Sequence, residues 1–439
     1  MQRKLQNAKE KEENTMKKRW TRALMATAMA GLMAAGTILP ASAEETEAAD
    51  ESLSGSLVIW EGTSERGVCA EAYIDVLQER YPNVDFSYES QAEGTYYTAL
   101  STAFQSGNGP DVYWTLGTKN STLESMVEAG NAMDLADVVD MSLFEPEGEP
   151  TMVSNICYVD DTLYAVPTSS IDTRTVYYNT DIFEEKGYEV PTTVAEFEAL
   201  CDQMLEDGIV PLTLAGTDWA SVMHVWDFLV CTQDGGPDFF TRLGEGGAEF
   251  NEDVNVAALQ KLAEWNQKGY FSISSTANDA NAACMEFATG STGMIICGSW
   301  MLSTIREANE NLNFDVFKLA NDADGQIYAC ITANGGYSIN PNSENLEAAI
   351  MFVQWMTTAE GQQTYINSNA SIPSLEETPS EDLIATEIGE ADVLIASNEE
   401  KIFQYGTAAE DYFQANIMSV FSGSLGAQEF CDNVQANVD

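Results

Sequence analysis

From Ser56 onward, short apolar runs alternate with longer amphipathic ones. Ser56–Trp60 (SLVIW), Val84–Tyr88 (VDFSY) and Asp111–Trp114 (DVYW) have the length and composition of strands. Each is followed by a segment of helical length: Val68–Tyr81, stopped by Pro82, then Gly94–Gly107, then Ser121–Ala129. Strand and helix alternating on this scale predict βαβ units and a mostly parallel sheet. Leu163–Pro167 (LYAVP) and Thr175–Asn179 (TVYYN) predict two further strands, with Thr168–Arg174 connecting them. Thr193 followed by Glu196 forms a capping box that opens a helix over Ala195–Asp207, and Gly208 ends it. A second α/β stretch runs to about Glu310, with a helix over Val254–Lys268 and a strand at Gly293–Cys297 (GMIIC). Phe314–Lys318 and Ile327–Thr332 predict another strand pair. Gly335–Ile339 leads into a helix over Asn345–Thr357, and the last helix covers Phe430–Val438.

The N-terminus has a different pattern. Met16 opens MKKRWTR, Ala23–Leu39 is apolar and uncharged, and Ala41-Ser42-Ala43 follows Pro40. A basic start, an apolar core and a small-x-small site read as a cleaved signal peptide, residues 1–43. A membrane anchor is the alternative, but the apolar run barely reaches spanning length and no second span follows. Residues 1–15 read as extra translation ahead of Met16, and residues 44–55 (EETEAADESLSG) as an acidic disordered tether.

Charge narrows the partners. The chain has 19 Lys and Arg against 70 Asp and Glu, a net −51. The first 43 residues hold 8 of the basic and 3 of the acidic residues, so the mature chain keeps 11 against 67, or −56. Such a surface repels nucleic acid and anionic lipid and disfavours a strongly anionic ligand. The eight cysteines contain no CxxC and are scattered through apolar contexts, which suits buried thiols better than a zinc site or a disulfide framework.

No catalytic pattern stands out. The single histidine, His224, lies in an apolar helical run, no serine sits in GxSxG, and no GxxxxGK[ST] is present. Acidic residues are too numerous for any carboxylate pair to carry meaning. The reading is therefore a non-enzyme without cofactor or metal. One feature stays open at this point: GMIIC stops at Gly298-Ser299-Trp300, so Trp300 is either a core plug or a platform for a ligand.

The ordered segments SLVIW, GNGPDVYW, LYAVP with VYYNTDIFEEKGYEVPTTVAEFEALCDQMLEDGIVPL, MEFATGSTGMIICGSW, and GGYSINPNSENLEAAIMFVQWMTTAEGQQTY resemble the family 1 extracellular solute-binding proteins, sugar receptors of ABC importers related to maltose-binding protein. The resemblance covers about residues 55 to 439. It implies an α/β type II periplasmic-binding-protein fold, two lobes joined by hinge strands around a central ligand cleft. Lobe one would be 55–168 plus 312–358, and lobe two 169–311 plus 359–439. It also implies a monomer that closes on a carbohydrate, an oligosaccharide above all, and docks on membrane permease subunits.

The site residues follow from the same resemblance. Trp300 matches the position of a sugar-stacking Trp, and Trp219 in AGTDWAS that of an aromatic over the ligand. Tyr337 with Gly335 and Gly336 matches a loop whose backbone meets ligand. Asp172 lies in a crossover carrying polar contacts, with Arg174 as its salt-bridge partner in the structural alternative. Glu61, Trp114 and Thr115 edge the cleft at strand ends, and Tyr412 adds a late stacking face. Members from Gram-positive bacteria carry a lipidated cysteine directly after the signal. Here the first cysteine is Cys69, so the chain reads as exported, in a periplasm or at the cell surface, without that anchor. Two other readings compete: the same fold binding a polyamine or other organic cation by cation–π and carboxylate contacts, and a secreted glycosidase.

Overall fold

A computed structural model describes residues 49–438, apart from Thr63, Gln91, Ala92, Asn120, Glu245 and residues 397–405. The signal peptide and residues 44–48 of the tether lie outside the described residues. The tether's last residues are packed: Leu53 is buried, and Asn83 donates to the Glu51 carbonyl at 2.8 Å.

Two mixed sheets organise the chain. The first contains β1 (Gly55–Glu61), β2 (Val84–Ser90), β3 (Val112–Thr115), β6 (Val166–Pro167) and β12 (Gly336–Ile339), in the order β2-β1-β3-β12-β6. A small hairpin of β4 (Tyr158–Val159) and β5 (Thr162–Leu163) precedes β6. β1 runs parallel to β2 and β3, while β12 is antiparallel to β3 and β6. The second sheet has the order β14-β11-β7-β9-β8, from β7 (Ser170–Asn179), β8 (Val210–Thr213), β9 (Thr292–Gly298), β11 (Tyr328–Ala333) and β14 (Val393–Ala396). β10 (Phe314–Phe317) and β13 (Ile372–Pro373) also pair with β7.

The expected connector Thr168–Arg174 is instead mostly strand. β7 is one ten-residue strand, buried along its whole length. Its polar first half reads as a loop because a sequence does not display tertiary partners. Here the Thr173 hydroxyl donates to the Cys330 carbonyl at 2.6 Å, and the Thr175 hydroxyl to the Phe317 carbonyl at 3.1 Å. Buried polar groups satisfied in this way are tolerated. Successive side chains of β7 enter different cores, Val176 and Tyr178 one and Tyr177 the other.

The lobe boundaries also shift. Residues from 312 were assigned to lobe one, yet β10 and β11 pair with β7 in the second sheet, and the chain re-enters the first sheet only at β12. Helix Ala359–Ser368, assigned to lobe two, packs with the first core through Tyr365 and Ile366. Its Gln362 side chain accepts from the Ser169 amide at 2.6 Å and donates to the Pro167 carbonyl at 3.2 Å, which pins the β6–β7 crossing. Strand runs of similar polarity cannot be told apart by which sheet they join, because that is set by pairing partners far away in sequence.

Helix Val194–Glu206 begins as its cap predicts, with the Thr193 hydroxyl accepting from the Glu196 amide at 3.3 Å. The reciprocal arm lands one residue earlier: the Glu196 carboxylate accepts from the amide and hydroxyl of Thr192, at 2.9 and 2.8 Å.

A second carboxylate fastens a loop of the second lobe. Glu286, in helix Ala280–Ala288, accepts from the hydroxyls of Thr213 (2.6 Å), Ser272 (2.9 Å) and Ser274 (2.7 Å) and from the Asn278 amide (2.7 Å). Burial raises its pKa, but the four donors outweigh it, and the carboxyl is held below its ordinary value of 4.5. A carboxyl depressed on folding stabilises the protein above its unfolded pKa, and that contribution is lost as pH falls through the folded value. Glu286→Gln is therefore expected to flatten the fall of the urea midpoint as pH drops below about 4.5. A wild-type slope in the variant would mean that the carboxylate charge has no part in holding this loop.

Candidate functional site

β8 and β9 are parallel, so their carboxyl ends lie at one edge of the second sheet. Ligands of open α/β sheets sit beyond such ends. Trp219 follows β8 as the first residue of helix Trp219–Thr232, capped by Asp218, whose carboxylate accepts from the Ala220 amide at 3.1 Å. Trp300 follows β9 and begins helix Met301–Ala308. Trp300 thus lies just past the end of β9, and Trp219 opens the helix that follows β8.

Trp300 is half-buried, and its ring folds back over Gly298. A Cβ at 298 would run into that ring, so glycine at the strand end is what permits the fold-back. His224 meets the indole edge-on, with centroids 5.0 Å apart and planes at 76°. The Arg174 guanidinium carbon is 5.5 Å from the ring centroid, within cation–π range. Between Gly298 and Trp300, Ser299 is locked to β7. Its amide donates to the Thr173 carbonyl at 2.9 Å, and its hydroxyl donates to Asp172 Oδ1 at 2.8 Å while accepting from the Thr173 amide at 3.2 Å.

Behind the indole lies a charged pair. Arg174 Nε is 3.7 Å from Asp227 Oδ2, with side chains 1% and 0% exposed. Arg174 forms an ion pair with Asp227 of the neighbouring helix, and Asp172 accepts from the Ser299 hydroxyl. Burial, and then the Arg174 charge, hold the His224 pKa well below its ordinary 6.5, so a neutral imidazole faces Trp300. Arg174, Asp227, His224 and Ser299 were not among the expected site residues. The spacing of His224 and Asp227 on one helix was visible, but the element they face was not.

The first-lobe candidates behave differently. Glu61 is fully buried, and its Oε1 accepts from the Tyr337 hydroxyl at 2.6 Å. Tyr337 is fully buried among the rings of Trp114 (5.1 Å), Phe352 (5.3 Å) and Tyr73 (6.0 Å). Burial and the Glu61 charge push its phenol well up. Tyr337 and Trp114 therefore belong to the core of the first sheet rather than to a surface that meets ligand. Thr115 is buried too and caps the Gly117 amide at 3.2 Å. Gly335 and Gly336 answer to close backbone approach: a Cβ at 335 would strike the Thr115 carbonyl, and one at 336 the Val166 carbonyl. Tyr412 is half-buried against Phe430, at 6.0 Å, in helix Thr407–Phe421.

Lys119 was also missed. It ends a short 3-10 turn after β3, is buried, and reaches across to β11, where its ammonium donates to Thr332 Oγ1 at 3.3 Å and to the Ala333 carbonyl. Lys119 thus ties the turn after β3 to β11 of the second sheet through buried polar contacts. A half-exposed indole set beside fixed polar groups can stack on an apolar ring face while hydroxyls find hydrogen-bond partners. Among the described residues, no cluster of three or more His, Cys, Asp or Glu stands ready to hold a metal.

A family model described as bacterial extracellular solute-binding protein matches residues 62–363. The chain belongs to that family. This solute-binding protein is 24% identical over 289 residues to a maltooligosaccharide ABC transporter solute-binding lipoprotein of Streptococcus pneumoniae, covering 63% of this chain and 62% of that protein. It is 22% identical over 282 residues to a multiple sugar-binding protein of Streptococcus mutans, covering 62% and 64%. The chain spans less than two thirds of the length of these relatives. Among solved structures, it matches a chitin oligosaccharide binding protein with TM-score 0.70 and 18% identity, covering 87% of this chain and 98% of that one. It matches the solute-binding protein RafE in complex with raffinose with TM-score 0.69 and 20% identity, covering 88% and 99%. These likenesses carry the fold, the two-lobed type II periplasmic-binding-protein architecture. Among the described residues, no helix is long and apolar enough to cross a membrane.

Proposed function

We propose that this solute-binding protein takes up a carbohydrate, an oligosaccharide above all, between its lobes and delivers it to the permease subunits of an ABC importer. It does so as a monomer without catalytic activity, in a periplasm or at the outer face of the cell membrane. The observation that carries this reading is Trp300: a half-exposed indole at the carboxyl end of β9, held over Gly298 by His224 and Arg174. Such a ring is preorganised for the C–H face of a pyranose, and Trp219 at the end of β8 supplies a second aromatic. The names of the relatives, a maltooligosaccharide receptor and a multiple sugar-binding protein, support the same ligand class. The Arg174 guanidinium beside the indole weighs against an organic cation at that face, since like charges repel.

Thermal unfolding of the purified protein against mono- and oligosaccharides, polyamines and amino acids tests the reading. A ligand at 100 times its dissociation constant stabilises the folded state by about 2.7 kcal/mol, a rise of a few degrees in Tm. A rise with a family of glycans and none with polyamines is expected. A rise with polyamines alone, or release of shorter sugars from a glycan, would overturn it.

A further inference from the structure

Cys231 and Cys330 are 99 positions apart in the chain, yet their sulfur atoms lie 3.3 Å apart, both buried. Cys231 is in the last turn of helix Trp219–Thr232, and Cys330 is at the centre of β11. Both backbones are held at that point: the Asn321 amide group donates to the Cys231 carbonyl at 2.9 Å, and the Thr173 hydroxyl donates to the Cys330 carbonyl at 2.6 Å. A cavity of about 10 Å³, room for about one water, adjoins the two sulfurs and is lined also by Arg174, Lys318 and Tyr328. A disulfide needs about 2.05 Å between sulfurs, so an approach of roughly 1 Å from the observed 3.3 Å completes the bond.

We propose that Cys231 and Cys330 form a disulfide that staples helix Trp219–Thr232 to β11 when the chain folds outside the cell. The oxidant is an organic disulfide. One cysteine thiolate attacks a sulfur of that disulfide and expels one thiolate. The second cysteine, after losing its proton, attacks the protein sulfur of the mixed disulfide and expels the other. Two cysteine S–H bonds are lost, one S–S bond forms, and the external disulfide is reduced to two thiols. Burial, and then the hydrogen bond with Cys231, push the Cys330 thiol well up, so in the folded protein the pair is shielded and exchange belongs to folding. The compartment in which this family works permits such a bond. The staple would restrain the helix that carries His224 and Asp227 toward Trp300, and it closes a long loop in the unfolded chain, where a cross-link has most effect. It stands independently of which ligand the cleft takes.

The test is to unfold and reduce the full chain, then refold it in mixtures of reduced and oxidised glutathione. Free thiols are alkylated under denaturing conditions, and peptides are mapped by mass spectrometry. Six of the eight cysteines are expected to be alkylated, with one linked peptide pair joining Cys231 to Cys330. The oxidised protein is expected to melt roughly 5 °C higher than the same chain refolded from its denatured, reduced state in dithiothreitol. That difference is expected to vanish in Cys231→Ser and in Cys330→Ala. Should either variant fail to fold, the wild-type comparison with and without reductant carries the test. Eight alkylated cysteines at every glutathione ratio would overturn the proposal. So would a link elsewhere, such as Cys284 to Cys297, or equal melting temperatures for the forms refolded with glutathione and with dithiothreitol.

Discussion

Trp300→Ala is expected to weaken carbohydrate binding by roughly thirtyfold, about 2 kcal/mol, the scale of an aromatic anchor at the centre of an interface. The ring is half-buried: it packs on the margin of the first core and touches His224, Arg174 and Gly298 without being enclosed. Its removal should therefore lower folding stability by less than the 3–5 kcal/mol typical of a fully buried Trp. Titration calorimetry with the glycan identified by thermal shift, alongside urea unfolding, separates the two effects. A loss of stability with unchanged affinity would make Trp300 a core plug. A conservative Trp300→Phe should recover part of the affinity, because a smaller aromatic face still stacks.

The second large effect concerns the pair behind that ring. Asp227→Ala removes the carboxylate 3.7 Å from the buried Arg174 guanidinium, and the cost of breaking such a buried pair is about 3–5 kcal/mol. The urea midpoint should fall accordingly with an unchanged m-value. Replacing both members by leucine is expected to restore much of the lost stability, since two well-packed apolar residues avoid the desolvation that the ions incur. It should not restore ligand affinity, because the indole would lose the guanidinium at 5.5 Å that helps to hold it. Stability unchanged in Asp227→Ala would show that Arg174 finds equivalent partners without Asp227.

The contrast between these two residues shows where the reading of a sequence stops. Trp300 was legible because its position is local: an apolar run, a glycine, and an aromatic at the strand end. Trp219 came from the family resemblance alone, since no local pattern marked β8 ahead of it. Arg174 and Asp227 were not legible, since each looks like an ordinary charge in its own segment. Only the packing of helix Trp219–Thr232 on β7 makes them a pair. Tyr337 erred in the opposite direction. Its glycine-flanked position resembled a ligand loop, but the side chain alternation of β12 turns it inward onto Trp114 and Phe352.

The order of most strands and helices, their approximate limits, the α/β class and the end of β9 at Trp300 were determined by the sequence alone. These follow from periodicity, capping and turn chemistry, which act over a few residues. Tertiary structure decided that Thr168–Arg174 continues a buried strand and that β10 and β11 join the second sheet. It also decided that Glu61 and Tyr337 bond each other inside the first core, and that Cys231 meets Cys330. Each of these depends on contacts between positions tens to hundreds of residues apart. The free energy of such contacts comes from partners that no local pattern names.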